Sequence, residues 1–355
     1  MTERKRPNFL LITTDQQRGD AFGFEGRRVH TPFLDRMAET GTRFSSCITP
    51  NPVCQPARAS MLTGLLPNTH GVSDNGIDLE PSLGERGFAG ALSASGYRTA
   101  LIGKAHFATS HTFEPTGTPE CRFSMERFGE DWHGPYMGFD HVELVVEGHN
   151  VHLPLAPPNG QHYERYYHRD GRGPHWDRMH GQNGREVAGD PPQTWHSCLP
   201  PAMHNSTWVA DRTIAQLAET SHDRPFCIWA SFPDPHHPFD CPLPWSLLHS
   251  PEDVDLPAER TLDLDRRPWW HRATLELETR SCTTVFRHVA RGIHSWFFDS
   301  RPVAIIRSGC KRPREVIRLS AMCNTAPRGS SARLATTNER ARSRCLPDAF
   351  RSATR

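Results

Sequence analysis

The run Phe9-Leu-Leu-Ile-Thr-Thr14, apolar and β-branched throughout and closed by Asp15, constrains the fold more than any other segment. It is too short for a buried helix and has the composition of a strand covered on both faces. Thr31-Pro32 follows as an N-cap with proline in the first helical position, and Phe33, Leu34, Met37 and Ala38 keep helical spacing up to Gly41. Arg43 to Ile48 reads as a short strand, Phe88 to Ala94 as a helix ended by Gly96, and Tyr97 to Ile102 as the next strand. Strands alternating with helices predict an α/β fold: a mainly parallel sheet flanked by helices.

At 355 residues the chain allows one large or two ordinary domains. Only 36% of residues are hydrophobic and the mean hydropathy is −0.62, so a multi-span membrane protein is excluded; no run approaches the ~18 apolar residues of a spanning helix. The opening segment up to Ile12 lacks the pattern of a secretory signal, which predicts a cytoplasmic protein whose ten cysteines are thiols. The net charge of +1 conceals an asymmetry. Residues 280–355 carry +12, and the remainder −11.

Between 110 and 200 the periodicity breaks down into Pro, Gly, His and aromatic residues, as in Pro154-Leu-Ala-Pro-Pro158, which predicts a loop-rich insertion. Regularity returns with a cap at Asn205-Ser-Thr207 and a helix through Trp208, Val209, Ile214 and Leu217. Pro225 to Phe232 reads as a buried strand.

Two places carry chemistry. Asp15 directly follows the first strand, where open α/β sheets build sites and where a carboxylate suits a hard cation or a helix cap. The segment Cys54-Gln-Pro-Ala-Arg58-Ala-Ser-Met-Leu-Thr-Gly64 puts Cys54 at a helix start, a position that favours anions and depresses a thiol pKa, with Arg58 one turn on.

Cys-x-Pro-x-Arg followed by Met-Leu-Thr-Gly resembles the signature of the type I sulfatases of the alkaline phosphatase superfamily. Pro7 to Gln16 is similar to that family's first strand and metal ligand, and Thr31 to Phe44 to its following helix and strand. Leu66-Pro-Asn-Thr-His-Gly-Val72, Gly103-Lys-Ala-His106 and Ser231-Phe-Pro-Asp-Pro-His-His-Pro238 resemble further blocks, in order, so that the likeness covers roughly residues 7–270. It implies that a separate maturing enzyme oxidises Cys54 to formylglycine (3-oxoalanine), whose geminal diol attacks the sulfur of a sulfate ester. The second hydroxyl then expels sulfate. It implies a divalent cation, Ca²⁺ or Mn²⁺, with Asp15, Gln16 and the group on Cys54 as ligands. Arg58 and Lys104 then hold the diol and the sulfate, His106 is the base of the release step, and His236 contacts sulfate near the leaving oxygen. Asp74-Asn75 falls in a block that lines the family's substrate entrance, and equally reads as a turn. Phosphonate monoester or phosphodiester hydrolysis is the alternative chemistry on this scaffold, and a non-catalytic remnant the alternative from another class.

The resemblance stops short of the family's later Asp-Asn or Asp-His-Gly block and its further lysine. This divides the chain at 279 into an N-terminal catalytic domain and an arginine-rich tail, 280–355. With 38 Arg and three Lys in the whole chain, that tail reads as a shifted reading frame of GC-rich DNA rather than a nucleic-acid-binding arm, and it predicts a truncated enzyme with a weakened cation site.

Overall fold

The computed structural model describes residues 6–146, 154–188, 195–221, 223–249 and 269. Four strands form one sheet: β1 (Phe9–Thr14), β2 (Arg98–Gly103), β3 (His141–Leu144) and β4 (Phe226–Phe232). Their order is β1-β4-β2-β3 and every pair is parallel. Parallel neighbours require crossovers, and the helices supply them: α1 (Pro32–Thr40), α2 (Cys54–Thr63), α3 (Pro67–His70), α4 (Pro81–Glu85), α5 (Phe88–Ala94), α6 (His162–His168), α7 (Gly173–Ala188) and α8 (Asn205–Ala218). The architecture is the α/β sheet expected from the sequence.

The period of two along each strand divides the core into two layers. Leu101 of β2 and Trp229 of β4 pack with Ala59 and Leu62 of α2, Ala89 of α5, and Phe107 and Phe139. Their neighbours Ala100, Ile102 and Ile228 pack on the other side with Tyr163 and Tyr167 of α6 and Trp208 and Val209 of α8. Helices therefore cover both faces of the inner strands.

Several local expectations are corrected. β1 is not buried on both faces: it stands at the rim of the sheet with Phe9 and Leu10 each 43% exposed and Ile12 51% exposed, since among the described residues only β4 pairs with it. Residues 43–48 form no strand. The loop-rich reading of 110–200 missed α6 and α7. A capping box between Gln161 and Glu164 starts α6, and Tyr163 and Tyr167, one turn apart, anchor it to the sheet. α8 is capped by His204, whose side chain accepts the Ser206 N–H, rather than by Asn205. Cys47, Cys54, Cys121, Cys227 and Cys241 are thiols as expected, but Cys198 is disulfide-bonded. The 279/280 domain boundary and the tail lie outside the described residues.

The chain divides into two compact units. Among the described residues, 6–21, 36–146, 154–188, 195–221 and 223–246 make the first, which holds the sheet, and 22–35, 247–249 and 269 belong to the second. In the second, α1 begins at Pro32, the expected first helical position, and Thr31 Oγ1 accepts the Gly23 N–H and donates to Asp35 Oδ1. No helix among the described residues is long and apolar enough to cross a membrane.

Candidate active site

The carboxyl ends of β1, β2 and β4 lie side by side, with Thr13 paired to Ser231 and Gly103 to Ser231 in register. Whatever follows each strand is therefore delivered to one edge of the sheet. Asp15 follows β1, Lys104 follows β2, and the loop bearing His236 follows β4. The Asp15 N–H donates to the Asp234 carbonyl at 3.0 Å, which ties that loop to the end of β1.

α2 brings the fourth participant. Cys54 is its first residue, and the helix start is capped from outside: Asn51 Oδ1 accepts the Val53 N–H at 2.8 Å, and Asn75 Oδ1 accepts the Gln55 N–H at 3.0 Å. Asn75 thus caps α2, a role the sequence did not suggest. Buried Gln55 holds the same segment, accepting the Gly76 N–H and donating to the Ile77 carbonyl. Gly64, at φ 71°, takes the left-handed position that ends the helix.

The participants converge. Cys54 Sγ lies 3.5 Å from Asp15 Oδ1, and Lys104 Nζ lies 2.5 Å from Asp15 Oδ2. Ligand atoms of Asp15, Cys54 and His236 all fall within 4.8 Å of one another. Arg58, buried beneath them, donates to the Lys104 carbonyl at 2.8 Å and from both terminal nitrogens to Ser231 Oγ at 2.9 Å. His106 sits beside this group in a left-handed backbone conformation (φ 52°), its Nδ1 buried and without a hydrogen-bond partner. Gln16 is adjacent but its amide oxygen faces His237 Nδ1 at 3.1 Å rather than Asp15.

Electrostatics sort the roles. The Lys104 ammonium and the Arg58 guanidinium hold the Asp15 carboxyl far below the ordinary range, outweighing the largest single effect, its burial. Asp15 is thus an anion at any physiological pH. Burial instead pushes the Cys54 thiol up, and Asp15 reinforces it against Lys104 and Arg58. This reverses the expectation of a depressed thiol: the helix N-terminus does not overcome desolvation, and Cys54 is not a ready thiolate nucleophile. Burial, with Lys104 adding to it, lowers His236 to about 4. Its Nδ1 lies 2.6 Å from the His237 carbonyl, so that nitrogen carries the hydrogen and Nε2 is bare. His106 is lowered well below the ordinary value by burial and by the cations Lys104 and Arg58. Both imidazoles are therefore neutral near pH 7.

The donor set suits a hard divalent cation in part. Asp15 offers a permanently ionised carboxylate and Gln16 an amide oxygen one residue away, whereas Lys104 occupies one oxygen of Asp15 with its own charge. A second buried pair, Ser60 Oγ and His70 Nε2 at 2.9 Å, looks like a nucleophile and its base but is not one. His70 Nδ1 accepts the Val72 N–H, so Nε2 carries the hydrogen and donates it to Ser60. The pair locks α3 to α2.

The sequence brought Asp15, Cys54, Arg58, Lys104, His106 and His236 forward, and all six meet. It missed Ser231, whose only signal was a hydroxyl inside an apolar strand, and Glu120, which had none.

The family model described as Sulfatase matches residues 7–247. The uncharacterized sulfatase YidJ of Escherichia coli is 28% identical over 273 residues, which is 76% of this chain and 46% of that protein. The arylsulfatase of Clostridium perfringens is 28% identical over 257 residues, 71% of this chain and 48% of its own length. The chain thus spans about half the length of these curated relatives. The crystal structure of the phosphonate monoester hydrolase of Agrobacterium radiobacter shares the fold, with a TM-score of 0.54 at 22% identity over 95% of this chain and 59% of that one.

Proposed function

This chain belongs to the sulfatase family, and we propose that it hydrolyses sulfate esters with an oxidised residue 54 as nucleophile. The observation that carries this reading is the state of Cys54: it stands at the centre of an anion-holding cluster, yet its surroundings keep it a neutral thiol. As formylglycine, residue 54 supplies a diol: one hydroxyl takes up sulfate, and the other loses its proton and expels sulfate as the aldehyde re-forms, a release that a thiol or a single hydroxyl lacks. A maturing enzyme is the partner this requires.

The other residues act through charge and proton position. Lys104 presents a point charge at the mouth of the cluster, and Arg58 holds the Lys104 backbone and Ser231 in place while adding positive potential for a sulfate. Neutral His106 accepts the proton of the release step. His236, with Nε2 bare at rest, takes the proton that the attacking diol gives up and passes it to the leaving oxygen. Asp15, with Gln16 turned from His237, would hold a divalent cation, Ca²⁺ or Mn²⁺, which lowers the nucleophile's pKa. The test is a parallel assay of aryl sulfate and aryl phosphonate esters with protein co-expressed with a formylglycine-generating enzyme. Sulfate turnover that a chelator removes and Ca²⁺ or Mn²⁺ restores supports the proposal. Preference for the phosphonate ester would give the site to phosphoryl chemistry, and neither turnover nor cation binding would mark a non-catalytic relative.

A further inference from the structure

His106 raises a problem that its own side chain does not solve. A non-glycine residue at φ 52° is strained by about 1 kcal/mol or more, and the imidazole has no hydrogen bond at Nδ1 to set its direction. Something else must fix it. Glu120 does so from beneath: its Oε2 accepts the His106 N–H at 2.5 Å, and its Oε1 accepts the Phe107 and Ala108 N–H groups at 3.0 and 3.1 Å and the Tyr136 hydroxyl at 2.8 Å. Glu120 is 4% exposed, and its own backbone is steadied by Gln161, which donates to the Pro119 carbonyl at 2.9 Å. On the other side of the same segment Arg58 grips the Lys104 carbonyl, so residues 104–108 are held from both ends.

We propose that Glu120 is a positioning residue for His106: by gathering three consecutive backbone N–H groups it holds the left-handed turn and aims the imidazole at the Asp15–Cys54–Lys104 cluster. This rests on the reading of His106 as the base of sulfate release. A carboxylate buried for fold stability alone is an expensive device, since an apolar side chain fills such a space without desolvating a charge. Burial pushes this one up to about 7 despite four donors. Perturbed buried carboxyls of that kind gather at functional sites.

The geometry names its own test. Glu120→Gln keeps one oxygen for Phe107, Ala108 and Tyr136 but turns an NH₂ toward the His106 N–H, removing that single anchor. Protein with ¹³C-labelled histidine gives a ring Cε1 signal for His106, assigned by its loss in His106→Gln. The expected result for Glu120→Gln is a shifted His106 ring signal beside an unshifted His70 signal. On matured protein, kcat for an aryl sulfate should fall roughly tenfold or more with KM within about twofold. Tyr136→Phe, which spares all three amides, should leave the His106 signal in place. Should Glu120→Gln fail to fold, Glu120→Asp draws the carboxylate back by one methylene and should shift the same signal. An unshifted His106 signal in the folded Glu120 variant, an unchanged kcat, or an equal shift in Tyr136→Phe overturns the proposal. If matured wild-type protein shows no turnover, the sulfatase reading fails, and the ring signal alone decides the role of Glu120.

Discussion

Cys54 and Asp15 are separated by 39 residues of chain and by 3.5 Å of space. That contact is where residue-level chemistry decides the outcome, because burial keeps the Cys54 thiol protonated and the anionic Asp15 beside it reinforces the effect. Cys54→Ala and Cys54→Ser are therefore expected to abolish sulfate-ester turnover in matured protein while leaving the fold intact, as circular dichroism would show. Arg58→Lys is expected to cost about 2 kcal/mol of stability, read from denaturant unfolding: lysine cannot serve Ser231 and the Lys104 carbonyl together, and buried acceptors are left unpaired. A variant as stable as wild type would show that the fork is dispensable. The site was legible where residue type and position coincide, as at Asp15 after a strand or Cys54 at a helix start. Glu120 was not, because its importance lies in three backbone N–H groups that no side-chain pattern records.

Among the elements, α8 is fastened to β3 by charge. Glu143, buried on β3, takes Arg212 Nη2 at 3.0 Å, Gln216 Nε2 at 3.1 Å and His141 Nε2 at 3.0 Å. Although burial is the largest effect and opposes it, these partners lower the Glu143 carboxyl from 4.5 to about 2. A depressed folded-state pKa means the unfolded chain binds its proton first. The stabilisation is thus complete above pH 4.5 and is lost as the pH falls toward 2. It is expected to be up to about 3 kcal/mol at neutral pH. Glu143→Gln should flatten that acid limb in thermal melts, and an unaltered limb would contradict the assignment. β2 and β4 could be read from sequence because burial on both faces imposed continuous apolar runs, α5 by its closing Gly96, and α2 by the motif that opens on Cys54. α6 and α7 could not: a capping box and buried tyrosines build α6, and α7 opens on Gly173-Pro174, residues that otherwise mark loops. The supposed strand at 43–48 had the composition but pairs with nothing among the described residues.

For the molecule as a whole, β1 is the discordant strand. Its sequence suits two covered faces, yet it forms the rim of the sheet with Phe9, Leu10 and Ile12 open to solvent. Among the described residues nothing pairs with the outer edge of β1, and an apolar rim of that kind is a template for pairing with another chain. Concentration-dependent association is therefore expected, and Ile12→Lys should reduce it without lowering the melting temperature; sedimentation showing monomers at all concentrations would refute this. The chain matches about half the length of its relatives, so the cation site read here is the share that these residues contribute.

Residue 54 carries the proposed chemistry, and the most direct measurement relates turnover to its oxidation. Preparations of the protein matured to different extents would be assayed with an aryl sulfate, and the aldehyde content of the residue-54 peptide measured by mass spectrometry. Turnover is predicted to rise in proportion to the aldehyde fraction and to vanish in the all-thiol protein. Turnover by all-thiol protein, or none by fully oxidised protein supplied with Ca²⁺ or Mn²⁺, would contradict it.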